Sequence, residues 1–139
     1  MTPALVFSIC SKLVLPQWLL MIVAPKWKWT QKLVASRIIP FLLAIVYAYY
    51  ILTSFGSAEG GGFGTLEEVM QLFTVEGAVL AGWIHYLAFD LLIGSWVLKD
   101  SQSRGINHFI TIPCLFFCFM AGPVGWLLYF AIRYISKNK

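Results

Sequence analysis

The chain has 139 residues, 60% of them hydrophobic and only 12% charged, with a mean hydropathy of +0.80. Soluble domains carry about 25% charged residues, so this composition excludes a soluble globular protein. At roughly 20 residues per crossing the length admits at most four or five membrane spans, in a single domain over residues 1–139.

The net charge of +4 does not mark a nucleic-acid partner, because the basic residues stand between apolar runs, where they orient a chain in a bilayer. Three cysteines make no disulfide framework and none has zinc-site spacing. No metal site is expected.

Four apolar stretches follow in chain order, at about 4–24, 38–55, 75–98 and 108–132. Each is long enough to cross a hydrocarbon core of about 30 Å at about 1.5 Å per residue. The first carries Lys12 in its middle and is followed by Pro25-Lys26-Trp27. It therefore reads as a retained helix and not as a cleaved signal peptide. If each stretch crosses once, one side (side B) collects Lys26, Lys28, Lys32, Arg37, Lys99 and Arg104. Side A holds Arg133, Lys137 and Lys139. The positive-inside rule then puts side B in the cytoplasm and both termini outside. Trp27 and Trp29, interleaved with lysines, read as an interfacial anchor.

Between the second and third stretches, a glycine-rich segment leads into Thr65-Leu66-Glu67-Glu68, a capping box in which Thr65 caps a helix and Glu68 reaches back to the Thr65 amide. Leu66, Val69, Met70 and Phe73 share one helical face. The pattern fits a short interfacial helix, a lid over a pocket or a passive connector.

The third stretch holds the residues that hydrocarbon disfavours. An ionised side chain at a helix centre costs about 2.5–3.5 kcal/mol on the insertion scale, so each such residue calls for a partner or a role. Lys12, His85 and Asp90 lie near mid-membrane. Gly82, Tyr86, Asp90 and Gly94 recur every four residues on one face, where glycine lets a neighbour or a flat ligand approach. Asp90 reads either as the ion-pair partner of Lys12 or as a buried acid. His85 reads either as a hydrogen-bonded core histidine or as a base. His85 and His108 differ in depth by roughly 18 Å, too far to clamp one haem.

In the fourth stretch Pro113 and Gly122-Pro123-Val124-Gly125 interrupt the helix, and Pro123 removes the hydrogen bond to the Phe119 carbonyl. Pro16 does the same to the carbonyl of Lys12. The expectation is an all-α four-helix membrane bundle, with helices 1 and 4 kinked around a pocket.

Three segments carry a resemblance. Phe7-Ser8, Leu15-Pro16-Gln17-Trp18 and Ala24-Pro25-Lys26-Trp27 form the first. Gly82-Trp83-Ile84-His85-Tyr86-Leu87-Ala88-Phe89-Asp90-Leu91 is the second. Gly105-Ile106-Asn107-His108, Ile112-Pro113-Cys114-Leu115 and Phe119-Met120-Ala121-Gly122-Pro123-Val124-Gly125 make the third. Together they resemble the abscisic-acid-deficient-four family, the membrane proteins related to plant neoxanthin synthase.

The resemblance implies a four-helix membrane protein connected with carotenoids, which in plants is required to turn violaxanthin into neoxanthin. That change is an isomerisation and demands no redox cofactor. The chain has no long plastid-targeting extension, so a bacterial inner-membrane member is expected. The catalytic expectation is Asp90 as acid and His85 as base, or the reverse, with Lys12 tuning Asp90. A ligand slot is expected along Gly82, Trp83, Tyr86, Phe89, Gly94, Pro113, Gly122, Pro123, Gly125 and Trp126. The expected partners are a carotenoid or another long apolar ligand, membrane lipids, and a second copy or a larger membrane complex. A non-enzymatic pigment- or lipid-binding subunit and a small proton-coupled carrier are the competing functions.

Overall fold

Each helix begins and ends where the local chemistry allows it. A computed structural model describes residues 1–137, and among them all regular structure is helical. Thr2 caps α1 (Pro3–Val23), its hydroxyl accepting from the Leu5 amide at 3.3 Å, with proline in the first turn, where a missing N–H costs nothing. The helix runs through Pro16 and ends at Val23, two residues before Pro25, which cannot continue it. A nine-residue helix, α2 (Lys28–Ser36), follows and ends at Arg37, whose φ of 53° interrupts the helix before α3 (Ile38–Ser54). The sequence pattern gave no sign of α2, because its polar residues read as a loop.

Thr65 caps α4 (Leu66–Leu72), accepting from the Glu68 amide at 3.2 Å. Glu68 reaches back one residue further than the capping-box expectation, to the Gly64 amide at 2.8 Å. The longest helix is α5 (Glu76–Ser103), followed by α6 (His108–Met120) and α7 (Gly122–Lys137). Among the described residues three helices are long and apolar enough to cross a membrane: α1, the run Lys28–Ser54 formed by α2 and α3, and α5.

Helix α5 is the hub. It packs against α1, α3, α6 and α7, and Ile84, Leu91, Val97 and Leu98 on it are fully buried. Helices α1 and α5 run in the same direction: Phe7 meets Trp83 near one end, and Gln17 meets Ser95 nearer the other. Large apolar side chains cover the outside, Leu52 at 76% and Phe109 at 82% exposure among them. A surface this apolar needs lipid or protein against it.

The fourth apolar stretch departs from expectation. It is not one kinked spanning helix but two helices that fold back on each other. Ala121, at φ −155° and ψ 83°, breaks the chain between α6 and α7. Helix α6 starts beside the end of α1, where His108 Nε2 contacts the Ile22 carbonyl at 2.8 Å. It climbs to the level of Tyr86, whose hydroxyl donates to the carbonyls of Phe119 and Met120. Helix α7 then descends. Arg133 Nε pairs with Asp100 Oδ2 at 2.8 Å, and the Tyr129 hydroxyl donates to the same oxygen.

The spacing agrees, since ten residues of α5 from Asp90 to Asp100 cover about 15 Å and eleven of α7 from Gly122 to Arg133 about 16 Å. Gly125 lies so close to α6 that a Cβ there would overlap the backbone of Cys114 and Cys118. The last described residues of α7 thus lie at the α2 end of the molecule, opposite Thr2. This corrects the expectation that both termini share one end. Hydropathy cannot separate one 25-residue crossing from two half-depth helices of the same composition, and the glycine–proline break proves to be a reversal.

Candidate functional site at the hairpin tip

Two cavities that share Trp83 as a wall lie in the seam between α1 and α5, together called the groove. The outer part, about 500 Å³, is lined by Pro3, Phe7, Glu76 and Trp83 among others. The inner part, about 450 Å³, is lined by Ser11, Lys12, Leu15, Tyr86 and Met120 with the same Trp83. Trp83 Nε1 donates to Ser11 Oγ at 2.9 Å, its ring stacks on Tyr86 with centroids 5.4 Å apart, and Phe7 lies 5.3 Å away. Along α5 the groove covers residues 76–87, about 16 Å, or half the thickness of a hydrocarbon core.

The hairpin tip forms its floor. Pro123 has no N–H for the Phe119 carbonyl, and the extended Ala121 takes the next donors out of register. Tyr86 supplies the missing donor to both freed carbonyls, as buried backbone oxygens in hydrocarbon require.

One turn beyond Tyr86 on the same face is Asp90, only 7% exposed, its Oδ2 buried without a hydrogen-bond partner. Its carboxyl rests against Gly122, the first residue of α7, so closely that any side chain there would displace it. The positive end of the α7 dipole therefore faces the carboxyl. A pocket of about 340 Å³ lined by Phe89, Asp90, Ile93, Gly122, Pro123 and Trp126 opens beside it.

The other expected residues are distributed differently. His85 is exposed on the α3 side of α5, with its ring 4.7 Å from Phe89 and 5.5 Å from Tyr47. It lines neither the groove nor the Asp90 pocket. Lys12 lines the groove, but among the described residues every ion pair centres on Asp100, and the expected Lys12–Asp90 pair does not form. Pro113 lies inside α6 and lines neither cavity.

The four glycines expected to admit a flat ligand are filled by the chain itself: Gly82 by the Phe73 ring, Gly94 by the Trp18 ring, Gly122 by Asp90 and Gly125 by the α6 backbone. Sequence reasoning missed Ser11 and the cluster on Asp100, which accepts from Tyr129, Arg104 and Arg133 and pins α7 in place. The i,i+4 spacing of Asp100 and Arg104 was the one available signal for it. Among the described residues no three His, Cys, Asp or Glu side chains cluster as metal ligands.

Three crossing-length apolar helices around a half-depth groove fit a helical membrane protein. The ABA DEFICIENT 4-like family matches residues 5–129, and the chain belongs to that family. It is 29% identical over 143 residues to the chloroplastic protein ABA DEFICIENT 4 of Arabidopsis thaliana, an alignment covering 96% of this chain and 63% of that protein. The chain thus spans less than two thirds of that relative's length. No solved structure matches.

Proposed function

We propose that the protein is a membrane isomerase of carotenoid metabolism that takes one end of a xanthophyll into the α1–α5 groove and reacts it near Asp90. The observation that carries this is the buried carboxyl oxygen without a partner, set one turn below an aromatic half-depth groove in a member of the ABA DEFICIENT 4-like family. A buried polar atom left unpaired is costly and marks a place where a ligand or a proton belongs.

The chemistry is an epoxide-to-allene isomerisation. A proton passes from the Asp90 carboxyl to the epoxide oxygen as the C–O bond breaks, and the new hydroxyl keeps it. The adjacent polyene carbon then loses a proton to the Asp90 carboxylate, which restores the acid, so atoms and charge balance without a redox partner. The α7 N-terminus supports the transient carboxylate by about 0.3–2 kcal/mol. Lys12, on the groove wall, offers N–H donors to the oxygens of the end group. His85, on the opposite face of α5, plays no part in this scheme, which replaces the acid–base pair expected from sequence.

The test is a mass-resolved pigment profile of membranes from carotenoid-producing cells with and without the protein, beside pigment extracted from the purified chain. A new isomer that disappears in Asp90→Asn, with the variant still folded, supports the proposal. Full activity in Asp90→Asn sinks the assignment. The Phe7–Trp83–Tyr86 stack also supports a second role, as a pigment-binding subunit, which predicts one unchanged carotenoid retained per chain.

For localisation we propose a bacterial inner membrane with the α2 end in the cytoplasm. Eight of the ten Lys and Arg residues fall at that end in the observed fold: Lys26, Lys28, Lys32, Arg37, Lys99, Arg104, Arg133 and Lys137. Lys139 lies outside the described residues.

A further inference from the structure

Two of the sequence signatures take no part in the groove chemistry: Ala24-Pro25-Lys26-Trp27 and Gly105-Ile106-Asn107-His108. They are eighty residues apart in the chain and meet in one cavity of about 360 Å³ at the α2 end of the molecule, lined by Lys26, Gln102, Asn107, His108 and Phe109 among others. We infer that this cavity binds the phosphate headgroup of an anionic glycerophospholipid.

The hydrogen bonding around it sets the polarity. Gln102 Oε1 accepts from Gln31 at 3.0 Å, and Gln102 Nε2 donates to the Pro25 carbonyl at 3.2 Å, which ties the first signature to the end of α5 just before the second. Asn107 Oδ1 accepts from the Phe109 amide at 2.9 Å. His108 Nε2 is engaged by the Ile22 carbonyl. The side-chain acceptors of Gln102 and Asn107 are therefore each occupied by one donor, while the Asn107 side-chain N–H groups and the Lys26 ammonium make no hydrogen bond or ion pair among the described residues. No acidic side chain lines it, and among the described residues Lys26 has no ion-pair partner. A cavity that presents donors and one cation selects an anion.

Its position selects a lipid. Trp27 and Trp29, which follow Lys26 in the chain, are exposed, as interfacial aromatics are. Phe109, the most exposed large side chain of α6, also lines the cavity and offers an apolar surface against which an acyl chain would lie. A headgroup bound here would bridge the end of α1 to the start of α6 and so brace the base of the hairpin.

The experiment uses the delipidated full chain in a neutral detergent, titrated separately with short-chain phosphatidylglycerol, short-chain phosphatidylcholine and inorganic phosphate, with bound species counted by native mass spectrometry. One phosphatidylglycerol per chain is expected, bound about tenfold more tightly than phosphatidylcholine, a difference of about 1.4 kcal/mol. Lys26→Gln, a substitution at an exposed position, is expected to abolish that preference, and Lys26→Arg to keep it. Equal binding of the two lipids overturns the inference, as does a preference that survives Lys26→Gln. Inorganic phosphate binding as tightly as phosphatidylglycerol would make this a free-anion site and overturn the lipid assignment.

Discussion

At the scale of the residue, the site depends on which way two neighbours on one helix point. Asp90 and His85 are five positions apart, about 140° around α5 at 3.6 residues per turn. That offset turns Asp90 toward the hairpin and His85 toward α3. Acid–base groups contribute about 10²–10⁴-fold to rate, so Asp90→Asn is expected to lower isomer formation by that order while the protein stays folded. His85→Ala is expected to leave it within about threefold, well inside the acid–base range, and initial rates of pigment conversion in reconstituted membranes separate the two. A loss in His85→Ala as large as in Asp90→Asn would return the histidine to the chemistry. The sequence revealed that both residues are out of place in hydrocarbon. It could not tell which partner each would meet, because the Lys12–Asp90 pair required a depth and a direction that only packing determines.

At the scale of the element, the α6–α7 hairpin is held by close backbone contact at one point and by charge at another. A methyl at Gly125 would meet the main chain of Cys114 and Cys118, which cannot move aside without separating the helices. A methyl at Gly82 would meet only the Phe73 ring, which can rotate. Overpacking costs about 1–3 kcal/mol where the surroundings are rigid. Gly125→Ala is therefore expected to fall in that range and Gly82→Ala well below it, measured by thermal unfolding in detergent.

Asp100 accepts hydrogen bonds from three side chains, two of them on α7. Asp100→Asn should destabilise by about 1.5–3 kcal/mol, the range for hydrogen bonds to a charged group, with the loss felt first in α7 as faster amide exchange. Helices α1, α3, α4 and α5 were legible as runs of the right length and period, with ends near the expected positions. Helix α2 was not, since nine residues with five polar side chains and a tryptophan look the same as an interfacial loop. The hairpin was not legible either, because a glycine–proline break signals only that a helix stops.

At the scale of the whole molecule, the reversal at Ala121 changes what the charges say. With four crossings the basic residues divide six to three between the two sides; with the hairpin, Arg133 and Lys137 join Lys26, Lys28, Lys32, Arg37, Lys99 and Arg104 at one end. Four of the six acidic residues, Glu59, Glu67, Glu68 and Glu76, lie toward the other. The orientation signal grows because short flanks of spanning segments count most, and all of these basic residues lie in such flanks.

The hairpin also ends the fourth element at half depth, and its tip residues Phe119 and Met120 close the inner end of the α1–α5 groove beside Tyr86. The topology is testable without any pigment. Reporters fused after residue 139 and before Met1 are expected to fall on opposite sides of the membrane, the C-terminal one cytoplasmic. A cysteine placed in α2 is expected to label from the same side as the C-terminal reporter. Both termini on one side would mean that α6 and α7 cross together as a single helix, and the half-depth groove with its floor at the hairpin tip would have to be abandoned.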